Sequence, residues 1–193
     1  MILPAGSYCY ELRRDGSPFA REEVRVDAQT VSGVRLGLLG DRLAVTAELD
    51  SRAQVVRIEA SARRGAFELK ASYSVGADAI AGSLSSLTGR TAVEARLGRL
   101  REVDGVLVPF KALIIAHTRW RGETRFTGRV ATLDDRTLAV AARKQTYRRS
   151  AGSEDLWIWE DEMGERSRIT VNAAGEIARI DGWRGIEIAR AAP

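Results

Sequence analysis

Between residues 43 and 75 the chain alternates apolar and polar side chains, reverses at a short turn signal, and alternates again. Leu43, Val45, Ala47 and Leu49 are interleaved with Ala44, Thr46 and Glu48, and Asp50-Ser51 follows. Val56, Ile58, Ala60 and Ala62 are interleaved with Arg57, Glu59, Ser61 and Arg63, and Arg64-Gly65 follows. Phe67, Leu69, Ala71, Tyr73 and Val75 then alternate with Glu68, Lys70, Ser72 and Ser74. A period of two sends one set of side chains to one face of a strand and the other set to the opposite face. Turns this short join only antiparallel neighbours, because a parallel pair needs a crossover of about a dozen residues. The pattern commits this part of the chain to an antiparallel meander.

The same pattern extends both ways. Tyr8, Tyr10 and Leu12 alternate with polar neighbours, Asp15-Gly16-Ser17-Pro18 reads as a tight turn, and Val24, Val26 and Ala28 return on one face of a strand over 22–30. Residues 7–30 are therefore expected to form a hairpin. A strand over 31–39 is interrupted by Gly33 and Gly37. Later strands are expected over 124–133, 138–147, 156–160, 166–172 and 176–181, with a last one over 183–190 and fraying beyond it. Residues 76–90 are small, polar and glycine-rich, and read as a long loop with a helical turn near 79–87. Residues 91–100 alternate weakly and rejoin the sheet.

The most apolar run is 104–120, DGVLVPFKALIIAHTRW. Asp104-Gly105 is a turn signal, and Val106, Leu107 and Val108 suit a strand. Pro109 lacks an amide hydrogen, which ends a central strand or opens a helix. Phe110, Leu113, Ile114 and His117 then recur at helical spacing. The adjacent Ile114 and Ile115 also permit a strand buried on both faces; the helix is the favoured reading. The 193 residues match one large β domain of ~200 residues. The expectation is an all-β, mostly antiparallel single domain over 1–193. Turns recurring about every ten residues suit a sandwich or a barrel; the expectation is the second, a large curved sheet forming an open or half β-barrel with a short helix near 109–118 on its concave side. Such a sheet leaves a concave apolar interior that side chains, a helix or a ligand must fill.

Several function classes find no support. Neither GxxxxGK[ST] nor GxGxxG nor GxSxG occurs. A single cysteine, Cys9, allows no internal disulfide, and with one histidine, His117, far from it, no metal site and no cofactor are expected. No catalytic residue is assigned: Asp134-Asp135, Glu154-Asp155 and 160–162 are acidic groups in expected turns. Net charge is +4, and all but Lys70, Lys111 and Lys144 of the 30 basic residues are arginine. Their interleaving with acids fits a codon bias better than an anionic partner, and no specific nucleic-acid partner is expected. No apolar run reaches the ~18 residues of a membrane span, and 1–16 does not read as a secretion signal. The expected location is cytoplasmic.

The tryptophans say more. Trp157 and Trp159 share one strand face with Ile158 on the other, Trp120 ends the central run, and Trp183 sits in GWRG. Core packing explains them, and so does an aromatic cavity wall; with arginines nearby such a wall suits an amphiphile with an acidic head. The opening hairpin YELRRDGSPFAREEV, the meander, the glycine-rich segment, the DGVLVP strand and the closing LWIWEDEMGERSRI resemble a bacterial half-barrel family regarded as glycolipid-binding. More distantly they resemble the LolA-like lipoprotein carriers. The resemblance implies an unclosed curved sheet plugged by one or two helices; it rests on order and turn placement and carries over no functional residue. The function expected is non-enzymatic binding of a lipid, glycolipid-like or other hydrophobic small molecule in the concave face. Phe110, Leu113, Ile114, His117, Trp120, Trp157 and Trp159 are the candidate lining residues. The alternatives are a protein-interaction scaffold using an exposed sheet face, and a hydrolase-like enzyme with a pocket near His117.

Overall fold

A computed structural model of the chain describes residues 3–97, 102–105 and 107–191. The first meander consists of β1 (Gly6–Arg14), β2 (Ser17–Val26), β3 (Thr30–Gly37), β4 (Arg42–Leu49), β5 (Val55–Arg64), β6 (Phe67–Val75), β7 (Ala79–Ser86) and β8 (Gly89–Arg96). A two-residue strand, β9 (Val103–Asp104), leads into α1 (Val108–Trp120). The second meander is β10 (Arg125–Leu133), β11 (Val140–Arg149), β12 (Leu156–Asp161), β13 (Arg166–Val171), β14 (Ile177–Trp183) and β15 (Ile186–Arg190).

All fifteen strands form one sheet in the order β8-β7-β6-β5-β4-β3-β2-β1-β15-β14-β13-β12-β11-β10-β9. First and last strands meet at its centre, Tyr10 opposite Arg190 and Arg14 opposite Ile186. The two meanders grow outward from that seam. Every pairing is antiparallel except β9 with β10, where Val103 faces Ala131. The sheet curls until β8 lies against β11, with no ladder between them. The barrel is therefore open, the unclosed form that the half-barrel resemblance implies.

Turn chemistry sets the register at the seam. Asp15 and Gly16 have φ of 50° and 77°, and Arg184 and Gly185 have 52° and 71°. Two successive left-handed residues make the turn that matches strand twist in a two-residue hairpin. On the inner face Leu12, Val31, Ile58, Tyr147, Ile169 and Ile188 are fully buried. α1 lies on that face and is buried on almost every side, with Phe110, Ile114 and Ile115 at 0% exposure. Pro109 stands in its first turn, where a missing N–H costs nothing. No side chain of its own caps the helix. Instead Glu22 of β2, fully buried, accepts the Val108 N–H at 2.8 Å.

Four expectations are corrected. Residues 76–90 are not a loop: β7 and β8 form a hairpin there, turning at Leu87-Thr88. Their small residues serve close packing, since a Cβ on Gly82 would stand 1.9 Å from the Ser72 carbonyl oxygen. The strand expected at 106–108 lies earlier, at Val103–Asp104; Leu107 is the extended residue preceding the helix, and Val106 falls outside the described residues. A bulge opposite Glu48 and Leu49 places Val55, not Val56, on the buried face. Phe67, first residue after its turn, is 74% exposed instead of joining the inner row. Residues 98–100, expected in the sheet, and 192–193, expected to fray, lie outside the described residues; Ala191 donates to the Cys9 carbonyl at 2.8 Å.

Candidate functional site

In a meander every turn from an odd to an even strand leaves from the same end. The β1–β2, β3–β4, β5–β6 and β7–β8 turns therefore share one end of the sheet. Because Arg14 faces both Ser17 and Ile186, the β14–β15 turn joins them, and with it 162–165 and the 134–139 segment. Two cavities open on the inner face at this end, and Asp135 lines both. They form the mouth of the half barrel.

The larger lobe is about 580 Å³. Phe19, Leu38, Leu39, Leu43 and Ile186 give it an apolar wall, and five arginines converge on it against two aspartates, Asp41 and Asp135. Arg35 Nη2 is 2.7 Å from Glu22 Oε2, and its Nη1 is 3.5 Å from Asp135. Arg64 donates to the Asp135 carbonyl at 3.2 Å. The Arg14 guanidinium lies over Phe19, 5.2 Å from the ring centre. Among the described residues Arg14, Arg42, Arg64 and Arg136 have no carboxylate within ion-pair distance. Glu22 thus fixes both the helix start and one arginine of the mouth. It also faces Tyr10 across the β1–β2 ladder; burial first, then the Glu22 charge, raises the Tyr10 pKa.

The smaller lobe is about 250 Å³ and is lined by Asp104, Gln145, Trp159, Trp183, Arg143 and Arg184, among others. Beneath it lies a buried ion pair. Lys111 Nζ is 2.7 Å from Asp104 Oδ2, and both residues are almost fully buried. The ammonium also lies 4.6 Å from the ring centre of Trp159, 5.1 Å from Trp183 and 5.9 Å from Tyr147. Burial pulls the Lys111 pKa below its ordinary value, and Asp104 opposes that pull. Asp104 Oδ1 accepts the Gly105 N–H at 2.8 Å. Burial and the nearby Asp104 charge hold the Tyr147 phenol well above its ordinary pKa, though its hydroxyl makes no hydrogen bond of normal geometry. Trp159 donates its indole N–H to Gln145 Oε1 at 3.1 Å, which fixes the ring.

Of the seven candidate lining residues named from sequence, the mouth contains one, Trp159. Phe110, Leu113 and Ile114 pack in the core at 2% exposure or less, as does Trp157, whose indole N–H has no partner among the described residues. His117 is buried, with Nδ1 3.0 Å from Glu102 Oε2. Arg121 Nη1 is 3.7 Å from the other oxygen of Glu102. Neither His117 nor Glu102 lines either lobe. Trp120, 73% exposed, ends α1 and joins none of the others. No group of three metal-ligating side chains occurs among the described residues, and no helix there is long and apolar enough to cross a membrane.

Sequence reasoning gave no role to Glu22, Arg35 or Lys111, and noted Trp183 among the tryptophans without naming it a lining residue. A signal existed for two of them. Glu22 is in phase with Val24 and Val26 and so belongs to the buried face; Lys111 is the one charge between Pro109 and His117 of the apolar run. An ion inside an apolar period must find a partner or shed its charge. Nothing local foretells that Arg14, Arg42 and Arg136, from three separate turns, meet.

Searches against family models and against curated proteins return no match. Among solved structures the fold is similar to the crystal structure of a DUF1089 family protein from Pseudomonas aeruginosa, with a TM-score of 0.62 and 14% identity. That likeness covers 86% of this chain and 90% of the other. At that identity it establishes the shared architecture alone: one large, open, curved antiparallel sheet with a helix on its concave side.

Proposed function

We propose that the protein binds a lipid- or glycolipid-like amphiphile in the mouth of the half barrel and performs no chemistry on it. One observation carries the reading. An apolar cavity of about 580 Å³ is ringed by five arginines, four of them without a carboxylate partner among the described residues. That volume lies within the ~300–1,000 Å³ of small-molecule sites. Guanidinium groups near apolar walls suit an acidic head joined to a hydrocarbon. In the adjoining lobe Trp159 and Trp183 offer ring faces and Asp134 and Asp161 offer acceptors, an environment suited to a hydroxyl-rich head. α1 occupies the centre of the concave face, so the ligand belongs at its end and not along its length. The enclosed His117–Glu102 pair, apart from both lobes, favours no enzymatic reading.

The test is organic extraction of the purified chain followed by mass spectrometry, with displacement of a fluorescent fatty acid in parallel. Arg42→Glu places a carboxylate on the rim and is expected to weaken displacement about tenfold, the equivalent of ~1.4 kcal/mol. Absence of both a co-purified amphiphile and displacement refutes the proposal.

A further inference from the structure

Seven large apolar side chains are exposed among the described residues, and they are not scattered. Six stand at the mouth end: Leu36, Leu38 and Leu39 at the β3–β4 turn, Phe67 after the β5–β6 turn, Leu87 in the β7–β8 turn and Met163 in the β12–β13 turn. Leu38, Phe67 and Leu87 are each about three-quarters exposed, and Leu39 is 95% exposed. The opposite ends of the same strands behave differently. Turns there carry Asp27, Asp50 and Asp78 and no exposed large apolar residue. Asp27 and Asp50 close their turns by accepting backbone N–H groups. Those turns have ordinary polar chemistry. Leucines and a phenylalanine at the mouth end satisfy no turn requirement. Single exposed apolar residues are common, but a contiguous group marks a surface of interaction.

Charge identifies the partner. Arg14, Arg42, Arg63, Arg64 and Arg90 are exposed among these tips, against Asp15, Asp41 and Glu68. The lateral register Leu36–Arg42–Arg63–Glu68 ties the β3–β4 and β5–β6 hairpins to one line, so their tips advance together. We propose that the tips of β1–β8 dock the protein on an anionic lipid bilayer. Leu38, Leu39, Phe67 and Leu87 enter the boundary between headgroups and acyl chains while the arginines hold lipid phosphates. Met163 stands apart, because its turn carries Asp161, Glu162 and Glu165 and none of the free arginines of the other tips. A second copy of the chain is a poor occupant, since a two-fold contact would set arginines against arginines. Single-stranded nucleic acid needs open stacking faces; among the described residues of these tips Phe67 is the one exposed aromatic, and the Phe19 ring is covered by Arg14. Leu38, Leu39, Arg14, Arg42 and Arg64 also line the larger lobe, but the docking is testable apart from the cavity proposal, because Phe67, Leu87, Arg63 and Arg90 line neither lobe. If both hold, docking turns the mouth toward the bilayer.

The full chain is to be sedimented with large vesicles of phosphatidylcholine alone and of phosphatidylcholine containing about a quarter phosphatidylglycerol. Binding is expected to the anionic vesicles and to weaken as salt rises. The double variant Phe67→Ser, Leu87→Ser makes two exposed positions polar and is expected to preserve the fold, checked by its thermal midpoint. It is expected to weaken vesicle binding at least tenfold, the ~1.4 kcal/mol that partial insertion of two large side chains supplies, and to leave fatty-acid displacement unchanged. Met163→Ser is expected to change neither. The inference is overturned by no sedimentation with anionic vesicles or by full binding of the double variant. It is equally overturned by a concentration-dependent dimer that the double variant abolishes while vesicles bind nothing.

Discussion

Replacing Lys111 by Met tests whether the ion pair beneath the mouth is as buried as its geometry indicates. Lys111 and Asp104 are 1% and 3% exposed and 2.7 Å apart. Met fills nearly the same volume and keeps the packing against Trp159 and Trp183. It leaves Asp104 with one backbone N–H and no counter-ion. Removing one member of a buried pair costs about 3–5 kcal/mol, which for a urea slope near ~2 kcal/mol/M moves the midpoint down by about 1.5–2.5 M. Asp104→Asn keeps the Gly105 hydrogen bond but strands the ammonium. In the double variant Lys111→Met, Asp104→Asn, neither charge remains to be solvated, and stability is expected within about 1 kcal/mol of the parent or above it. Urea unfolding followed by tryptophan fluorescence reads all four proteins, and two of the tryptophans border the pair. A loss under ~1 kcal/mol in Lys111→Met, or singles that simply add in the double, would refute the reasoning.

Three further outcomes are expected. All four tyrosines of the chain have raised pKa values, burial being the first cause for each. A phenol whose folded pKa exceeds its unfolded value of ~10 stabilises the fold below that pH and loses that contribution as pH climbs through the folded pKa. Lys111, with its lowered pKa, acts oppositely as one group: its contribution rises from its folded pKa up to ~10. Alkaline titration at 295 nm should therefore show little tyrosinate until the chain unfolds, then a cooperative rise; independent titration near pH ~10 would contradict this. Gly82→Ala forces a Cβ onto the Ser72 carbonyl and should cost at least ~1–3 kcal/mol in chemical denaturation; an unchanged midpoint would show β6 and β7 free to separate. Glu22→Gln retains an acceptor for the Val108 N–H but loses the Arg35 ion pair, and should destabilise by about 1–3 kcal/mol. Glu22→Ala also uncaps α1 and should cost more, and equal losses by thermal melting would refute the capping role.

What the chain alone determined is the local periodicity. Alternation in 43–49 and 67–75 and the Asp15-Gly16 turn follow from side-chain direction and backbone sterics, which act over a few residues. So does the helix after Pro109, since Phe110, Leu113 and Ile114 already lie on one face. Those terms were legible, and with them an antiparallel sheet and a short helix, though not whether the sheet closes. Composition misled at 76–90, because glycine and serine serve loops and close-packed strands equally, and only the approach of β6 distinguishes them. The mouth was decided by tertiary structure. Arg14, Arg42, Arg64 and Arg136 come from four turns that the meander and curl bring to one end, and Trp183 joins Trp159 only through the ladder order. Pairing between β1 and β15, residues at opposite ends of the chain, is a long-range choice among register-compatible edges. Its selection depends on burying both inner faces together, a free energy that no single segment contains.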